Sequence, residues 1–313
     1  MTRKIAIATP IGAETGGPEA LHQLCDSLNR LGKSAYLYPW DGTEGNKPVE
    51  NYKKYIAPID TSLAKDSILI VPETVPEMIF RAKESLIWWL SVDNSPIFQN
   101  SKTLNGINHI DSKSSPENQD FWHRFNSKEV RHLAQSYYAK NYVSSILNRK
   151  VFMLTDYIHK QDIKSATRCR KDTVSISLKG EQYFESYRQA LSNYEVVQLK
   201  GLSKQKVMET LAKSRLYLDL GHQPGRDRLP REAALLNSHV MINALGAGRY
   251  FKDAPLSQNF KFDAENKEIS IAKIERCLEK ASAPNPSQAI YRKWVQSQFA
   301  VFQFEVLKLV KSL

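Results

Sequence analysis

Short apolar runs alternate with stretches of helical spacing through both halves of this chain, and that alternation limits its fold more than any single residue. Residues 4–9 read as a first strand, followed by a Gly-rich turn from Gly12 to Gly17. Pro18 falls at the expected first helical position, where its missing N–H costs nothing. Over 19–31, Leu21, Leu24, Leu28 and Leu31 share one helical face, and Gly32 stops the pattern. Strands are expected at 35–38, 67–71 and 85–92, the last with a Leu86-Ile87-Trp88-Trp89-Leu90 run suited to a strand covered on both faces. Residues 93–130 are polar, Asn/Ser-rich and poorly periodic, and read mostly as loops with short elements.

The second half repeats the scheme. A strand at 173–177 leads through Lys179-Gly180-Glu181 into a helix reaching about Leu191. Strands at 194–199, 215–220 and 239–243 alternate with helices at 203–214, capped by Ser203, and 229–236. Residues 156–171 fit a linker between two sheets. From 287 onward an amphipathic helix carries Trp294, Val295, Phe299, Phe302, Val306 and Leu309. Strand–helix alternation implies parallel, doubly wound sheets. The expected class is therefore α/β, with Rossmann-like domains at 1–155 and 172–285 and a long helix at 286–313 packing back toward the first domain.

Length supports two domains, since 313 residues exceed the usual size of one. No stretch approaches the ~20 apolar residues of a membrane span. The Ile5–Ala8 run behind Arg3 and Lys4 is too short for a signal-peptide core, so a cytoplasmic location is expected. Cys25, Cys169 and Cys277 are odd in number and widely spaced, against a disulfide framework and a structural zinc site. Residues 1–155 carry 18 basic and 16 acidic side chains and residues 156–313 carry 26 and 17, so most of the net +11 lies in the second half. Such a half attracts anions: nucleotide diphosphates, acidic lipid head groups or nucleic acid.

Three segments carry chemistry. Thr9 to Glu19 joins the first strand to the first helix with glycines that let backbone approach a bound group at a helix N-terminus. It is not a GxGxxG, which disfavours a conventional NAD site. Lys179-Gly180 stands at the carboxyl edge of a parallel strand, where an ammonium could neutralise a diphosphate. The densest segment is Asp219 to Ala234, a strand-to-helix connection with Arg226, Arg228 and Arg231. With Pro230 starting the helix, Arg231 and Glu232 fall in its first turn. Three arginines there oppose the helix dipole and call for an anion, while a carboxylate could accept two ribose hydroxyls. His222 adjoins the cluster and, with Asp227, is a candidate for proton transfer. His22, His109 and His132 read as surface or capping residues, Trp88-Trp89 as core rather than a membrane-docking pair, and Asp93 as a strand-edge acid.

Leu229-Pro230-Arg231-Glu232-Ala233-Ala234, then His239-Val240-Met241-Ile242-Asn243 and Gly246-Ala247-Gly248, resembles the donor-site signature of family 4-type (group 1) glycosyltransferases. The match is dense over 215–250, loose over 1–40 and 170–200, and absent over 93–130. It implies the GT-B fold, two Rossmann-like domains facing across a cleft, and transfer of a sugar from a nucleotide diphosphate to a saccharide, cell-surface glycan or lipid-linked acceptor. By resemblance Glu232 binds the donor ribose, Lys179 and Gly180 with Arg226 or Arg228 the diphosphate, and Gly16 and Gly17 approach the transferred sugar. A lipid-linked acceptor adds peripheral association with the inner membrane face. Two departures stand out: Pro224 occupies the place of the family's glutamate eight residues before the ribose glutamate, and one residue separates Pro230 from Glu232 where two are common. No Asp-x-Asp pair sits at a convincing strand edge, so no metal and no cofactor is expected. A sugar-nucleotide epimerase or a non-catalytic donor-binding protein fits the same fold. The alternative of another class is a basic nucleic-acid-binding protein, disfavoured because the arginines crowd one turn instead of lining a groove.

Overall fold

The computed structural model describes residues 3–40, 49–64, 66–99, 102–104, 107–109, 116–163, 172–280 and 285–313. The chain divides into two compact units, Met1–Asp156 with Ala300–Leu313, and Tyr157–Phe299.

In the first unit, β1 (Ile5–Thr9), α1 (Gly16–Arg30), β2 (Ala35–Pro39), β3 (Ile68–Pro72) and β4 (Glu84–Trp89) follow the alternation. Then come α2 (Pro96–Gln99), β5 (Lys102–Leu104), β6 (Ile107–His109), α3 (Pro116–Phe125), β7 (Val130–Ala134), α4 (Tyr137–Leu147) and β8 (Phe152–Met153). Six strands pair in parallel in the order β2-β1-β3-β4-β7-β8, and β5 and β6 form a separate antiparallel pair. The chain leaves β1 outward to β2 and returns to β3 on the other side, so the switch point lies between β1 and β3.

Trp88 and Trp89 are fully buried on opposite faces of β4, as alternation along a strand requires. Each indole N–H finds an acceptor, Trp88 Nε1 on the Leu154 carbonyl at 2.8 Å and Trp89 Nε1 on His132 Nδ1 at 3.2 Å. This pair is core. Burial also pushes the His132 imidazole down to about 4, which keeps it neutral among Trp89 and Phe125. His22 is likewise buried, its Nδ1 facing the Pro18 carbonyl at 2.8 Å; neither histidine is a surface residue. His109 lies on β6, with its side chain outside the described residues.

The 93–130 segment holds more structure than its polar composition announces. Helix α3 turns Phe121 and Phe125 against one another at 5.4 Å, so three aromatic positions, Phe121, Trp122 and Phe125, outweigh the polar background. Strand β7 escaped notice because Arg131 and His132 interrupt its apolar run.

The second unit contains β9 (Thr173–Ile176), α5 (Glu181–Ala190), β10 (Glu195–Gln198), α6 (Lys204–Lys213), β11 (Ser214–Asp219), α7 (Arg228–Leu235), β12 (His239–Asn243), β13 (Lys261–Phe262) and α8 (Lys267–Lys280). Its sheet is parallel throughout, in the order β10-β9-β11-β12-β13. The direction of winding reverses between β9 and β11. Residues 157–163 join this unit instead of bridging as a free linker: Ile158 is in its core, and Asp162 pairs with Lys204 and Arg228. The rest of the expected linker, with Cys169, lies outside the described residues, while Cys25 and Cys277 are free and buried.

The long helix α9 (Pro286–Ser312) begins in the second unit, and its residues from Ala300 group with the first. Tyr291, Val295, Phe302, Val306 and Leu309 form its buried face. Phe299 falls one step off that stripe and is 50% exposed, its ring meeting Tyr157 edge-on at 4.9 Å. In the first unit the helix is tied down by Glu305, which accepts from Thr155 N and Oγ1 at 2.7 and 2.8 Å. Among the described residues no helix is long and apolar enough to cross a membrane.

Candidate functional site

The carboxyl edge of a doubly wound sheet at its switch point is where such folds leave a crevice. In the second unit that point lies between β9 and β11. The chain leaving β9 carries Ser177, Lys179 and Gly180; the chain leaving β11 carries His222, Gln223 and the Arg226–Arg228 segment. Gly180 adopts φ +76°, caps α5 and lies flat on the neighbouring connection: a Cβ there would stand 2.6 Å from the Leu220 carbonyl carbon. Gly221 answers from the other side, where a Cβ would meet Lys179 Cβ at 2.2 Å. The two turns therefore touch backbone to backbone.

A buried carboxylate fastens them. Asp219, at the end of β11, accepts from Ser177 Oγ at 2.9 Å, Gly221 N at 3.2 Å and Gln223 Nε2 at 3.2 Å. The next connection is locked on as well, since Ala247 N donates to the Gln223 carbonyl at 2.7 Å and Asn243 Nδ2 to that of Leu220 at 2.9 Å. Gly246, at φ +57°, packs against the His222 ring.

Lys179 Nζ reaches across the gap to Asp227 Oδ2 at 2.6 Å, with the lysine side chain 42% exposed and the aspartate 18%. Asp227 is the N-cap residue of α7 but turns its carboxylate to the ammonium instead of capping the helix. Burial and the Asp227 carboxylate raise Asp219 to about 6, with Lys179 pulling the other way. Burial also raises Asp227, against the pull of Lys179, Arg231 and His222.

Helix α7 starts at Arg228, two residues before Pro230, which places Arg231 and Glu232 in its second turn. The anion that three arginines seemed to require comes largely from the protein. Arg226 is enclosed, pairing with Asp253 at 3.2 Å, donating to Gln298 at 2.8 Å and lying over the Trp294 ring at 5.1 Å. Arg231 is buried and donates to the carbonyls of Arg226 and Asp227, tying the loop to the helix behind it. Arg228 bridges Glu232 and Asp162, each at 3.2 Å. Glu232 is 4% exposed.

Lys179, Gly180, His222, Asp227, Arg228 and Glu232 thus share one edge of one sheet. Gly16 and Gly17 belong to the other unit. They open α1 behind the N-cap Thr15, two residues earlier than the position of Pro18 implied. The first turn of that helix is held by buried Glu19, which accepts from Tyr55 OH at 2.8 Å, and by Tyr52 OH on the Thr15 carbonyl at 2.9 Å. Asp93 accepts from Tyr138 OH at 3.1 Å.

The sequence assigned no separate role to Asp219, Gln223 or Asn243, which lie inside the segments singled out, and Asp253 lies outside them. Only Asp219 carried a local signal, a carboxylate closing an apolar strand. Among the described residues no group of His, Cys, Asp and Glu is arranged to hold a metal ion.

No family model matches the sequence, and no curated protein matches it. Solved structures do. A sucrose-phosphate synthase from Thermosynechococcus elongatus aligns over 99% of this chain and 98% of its own, at 9% identity and a TM-score of 0.68. A glycosyltransferase from Rickettsia africae aligns over 99% and 97%, at 11% identity and 0.62. HepE from Anabaena, solved with UDP-glucose, aligns over 99% and 100%, at 11% identity and 0.61. The chain has the two-unit α/β fold of the GT-B glycosyltransferases.

Proposed function

We propose that this protein is a glycosyltransferase whose second unit binds a nucleotide-diphosphate sugar at the β9–β11 edge and whose acceptor is a saccharide or other glycan, free or lipid-linked. The observation that carries the reading is the juxtaposition of the Lys179 ammonium with the Arg228–Glu232 start of α7, at the switch point of a parallel sheet. Likeness in fold to HepE, which was solved with UDP-glucose, supports it.

In this reading Lys179 and Arg228 neutralise the diphosphate, Gly180 lets it approach the backbone, and Glu232 accepts from the ribose. Arg226 supports the loop from behind. The sugar–phosphate bond breaks as the acceptor oxygen bonds the sugar, and His222 or Asp227 carries the proton that the acceptor hydroxyl loses. Gly16 and Gly17, in the first unit, leave backbone open at the start of α1. Transition-state stabilisation rests on orientation and on fixed positive charge, without a metal ion or other cofactor. Cytoplasmic location, with peripheral association at the inner membrane face, suits a lipid-linked acceptor.

Calorimetry with UDP-glucose, GDP-mannose and ADP-glucose, with and without chelator, tests this. One of them is expected to bind below millimolar concentration irrespective of chelator; absence of binding by all three sinks the proposal. Pro224, where the resembled family carries a carboxylate, favours a second reading in which the donor binds without transfer. Binding without turnover against a panel of saccharide acceptors would select it.

A further inference from the structure

Resting on the donor site just proposed, we propose that binding of the nucleotide sugar is coupled to uptake of one proton by the Asp219–Asp227 pair. Lys179 carries a single positive charge, which a diphosphate and Asp227 must share. Its ammonium sits 2.6 Å from Asp227 Oδ2. A diphosphate at the mouth of the site draws Nζ outward, toward solvent, where 42% of the side chain already lies. Asp227 is then left as a mostly enclosed carboxylate beside Asp219, itself fully committed to Ser177, Gly221 and Gln223.

The surroundings offset these charges only in part: both carboxyls stand raised although Lys179, Arg231 and His222 pull Asp227 the other way. From the connections on either side come Lys179, His222 and Arg226, the last already paired with Asp253. From α7 comes Arg231, whose guanidinium is directed to the carbonyls of Arg226 and Asp227. From β11 comes Tyr217 and from α9 Tyr291, both with their phenolic protons held firmly by burial. Like charges in an enclosed site favour protonation of one member. The balance is simple: solvent supplies one H⁺, it adds to the carboxylate pair, and the ammonium exchanges its Asp227 contact for a phosphate oxygen. The protonated acid then faces the diphosphate as a hydrogen-bond donor instead of repelling it. Burial and the neighbouring carboxylate already raise both members, Asp219 to about 6, and withdrawal of the ammonium raises them further.

The test is calorimetry of the full chain with UDP-glucose, GDP-mannose and ADP-glucose, whose phosphodiester oxygens carry no titrating proton near neutral pH. Titrations at one pH in Pipes and in Tris separate proton uptake from binding, since the buffers differ in ionisation enthalpy. The expected result is uptake approaching one proton and a Kd that weakens by up to about tenfold per pH unit above neutrality. Asp227→Asn frees Lys179 and removes the protonation site; it should bind about three- to tenfold more tightly at alkaline pH, with a flat pH profile. Asp219→Asn also loosens the turns that Asp219 fastens, so it is read by proton uptake per nucleotide sugar bound, which should fall by half or more. Binding by the wild type with equal heats in both buffers and a flat profile overturns the coupling and leaves the donor site standing. No binding by any of the three sugars, to wild type or to Asp227→Asn, overturns both.

Discussion

Arg226 and Asp253 form an ion pair at 3.2 Å with side chains only 4% and 1% exposed, and it joins the loop leaving β11 to the segment before β13. A residue that looked like a phosphate ligand in the sequence is thereby a bolt of the fold. Removing one partner of a buried pair leaves the other charge without compensation, at about 3–5 kcal/mol. Arg226→Ala is therefore expected to lower the urea midpoint of the second unit strongly. Asp253→Asn should do the same by a smaller amount, because the amide still accepts one hydrogen bond. Near-wild-type stability of Arg226→Ala would return the arginine to the list of phosphate ligands.

Gly221→Ala tests the backbone contact between the two site turns. The new methyl would stand 2.2 Å from Lys179 Cβ and 2.7 Å from its carbonyl carbon, so the Lys179 turn must move. Overpacking of this sort costs about 1–3 kcal/mol. Nucleotide-sugar affinity should fall about tenfold or more, because the moved turn carries the ammonium. Unchanged affinity with reduced stability would separate Lys179 from the donor.

Glu232→Gln keeps shape but replaces half of the carboxylate acceptor with a donor. Hydrogen bonds to a charged group contribute roughly 1.5–3 kcal/mol, so donor affinity should drop about tenfold or more. The same change weakens the 3.2 Å contact with Arg228, an i,i+4 pair. Stability should fall by about 0.5 kcal/mol or less if that pair contributes as helical pairs usually do. A lower melting temperature with unchanged donor affinity would remove Glu232 from the ribose.

In the first unit, Glu73 gives a pH dependence of defined sign. It follows β3 and accepts from Leu90 N and Ser91 N, each at 2.8 Å, yet burial lifts its carboxyl from 4.5 to about 7. The folded state thus holds a proton that the unfolded state releases, and its stabilising contribution, full below about pH 4.5, is lost as pH rises through 7. The loss amounts to about 3 kcal/mol at most. His132, lowered to about 4, works in the opposite sense between 6.5 and 4, so the comparison must be made between variants. The stability advantage of wild type over Glu73→Gln should shrink between pH 4.5 and 7; a constant difference would contradict the assignment.

The sequence by itself determined most of the long parallel strands and the α/β plan with two sheets. Apolar runs such as Ile5–Thr9 and Leu216–Asp219 are local patterns that only a covered parallel strand satisfies, and glycines such as Gly180 mark turns in the left-handed region. Local patterns could not say which way a charged side chain turns. Arg226, Arg228 and Arg231 lie within six residues, yet one binds Asp253, one bridges Asp162 and Glu232, and one holds backbone carbonyls. Their partners come from as far as 66 residues away along the chain for Arg228 and 72 for Arg226. Only folding brings those groups within hydrogen-bond distance, and enclosure then decides which charges are compensated inside the protein. Lys179 keeps 42% of its side chain in solvent, where Arg226 keeps 4%.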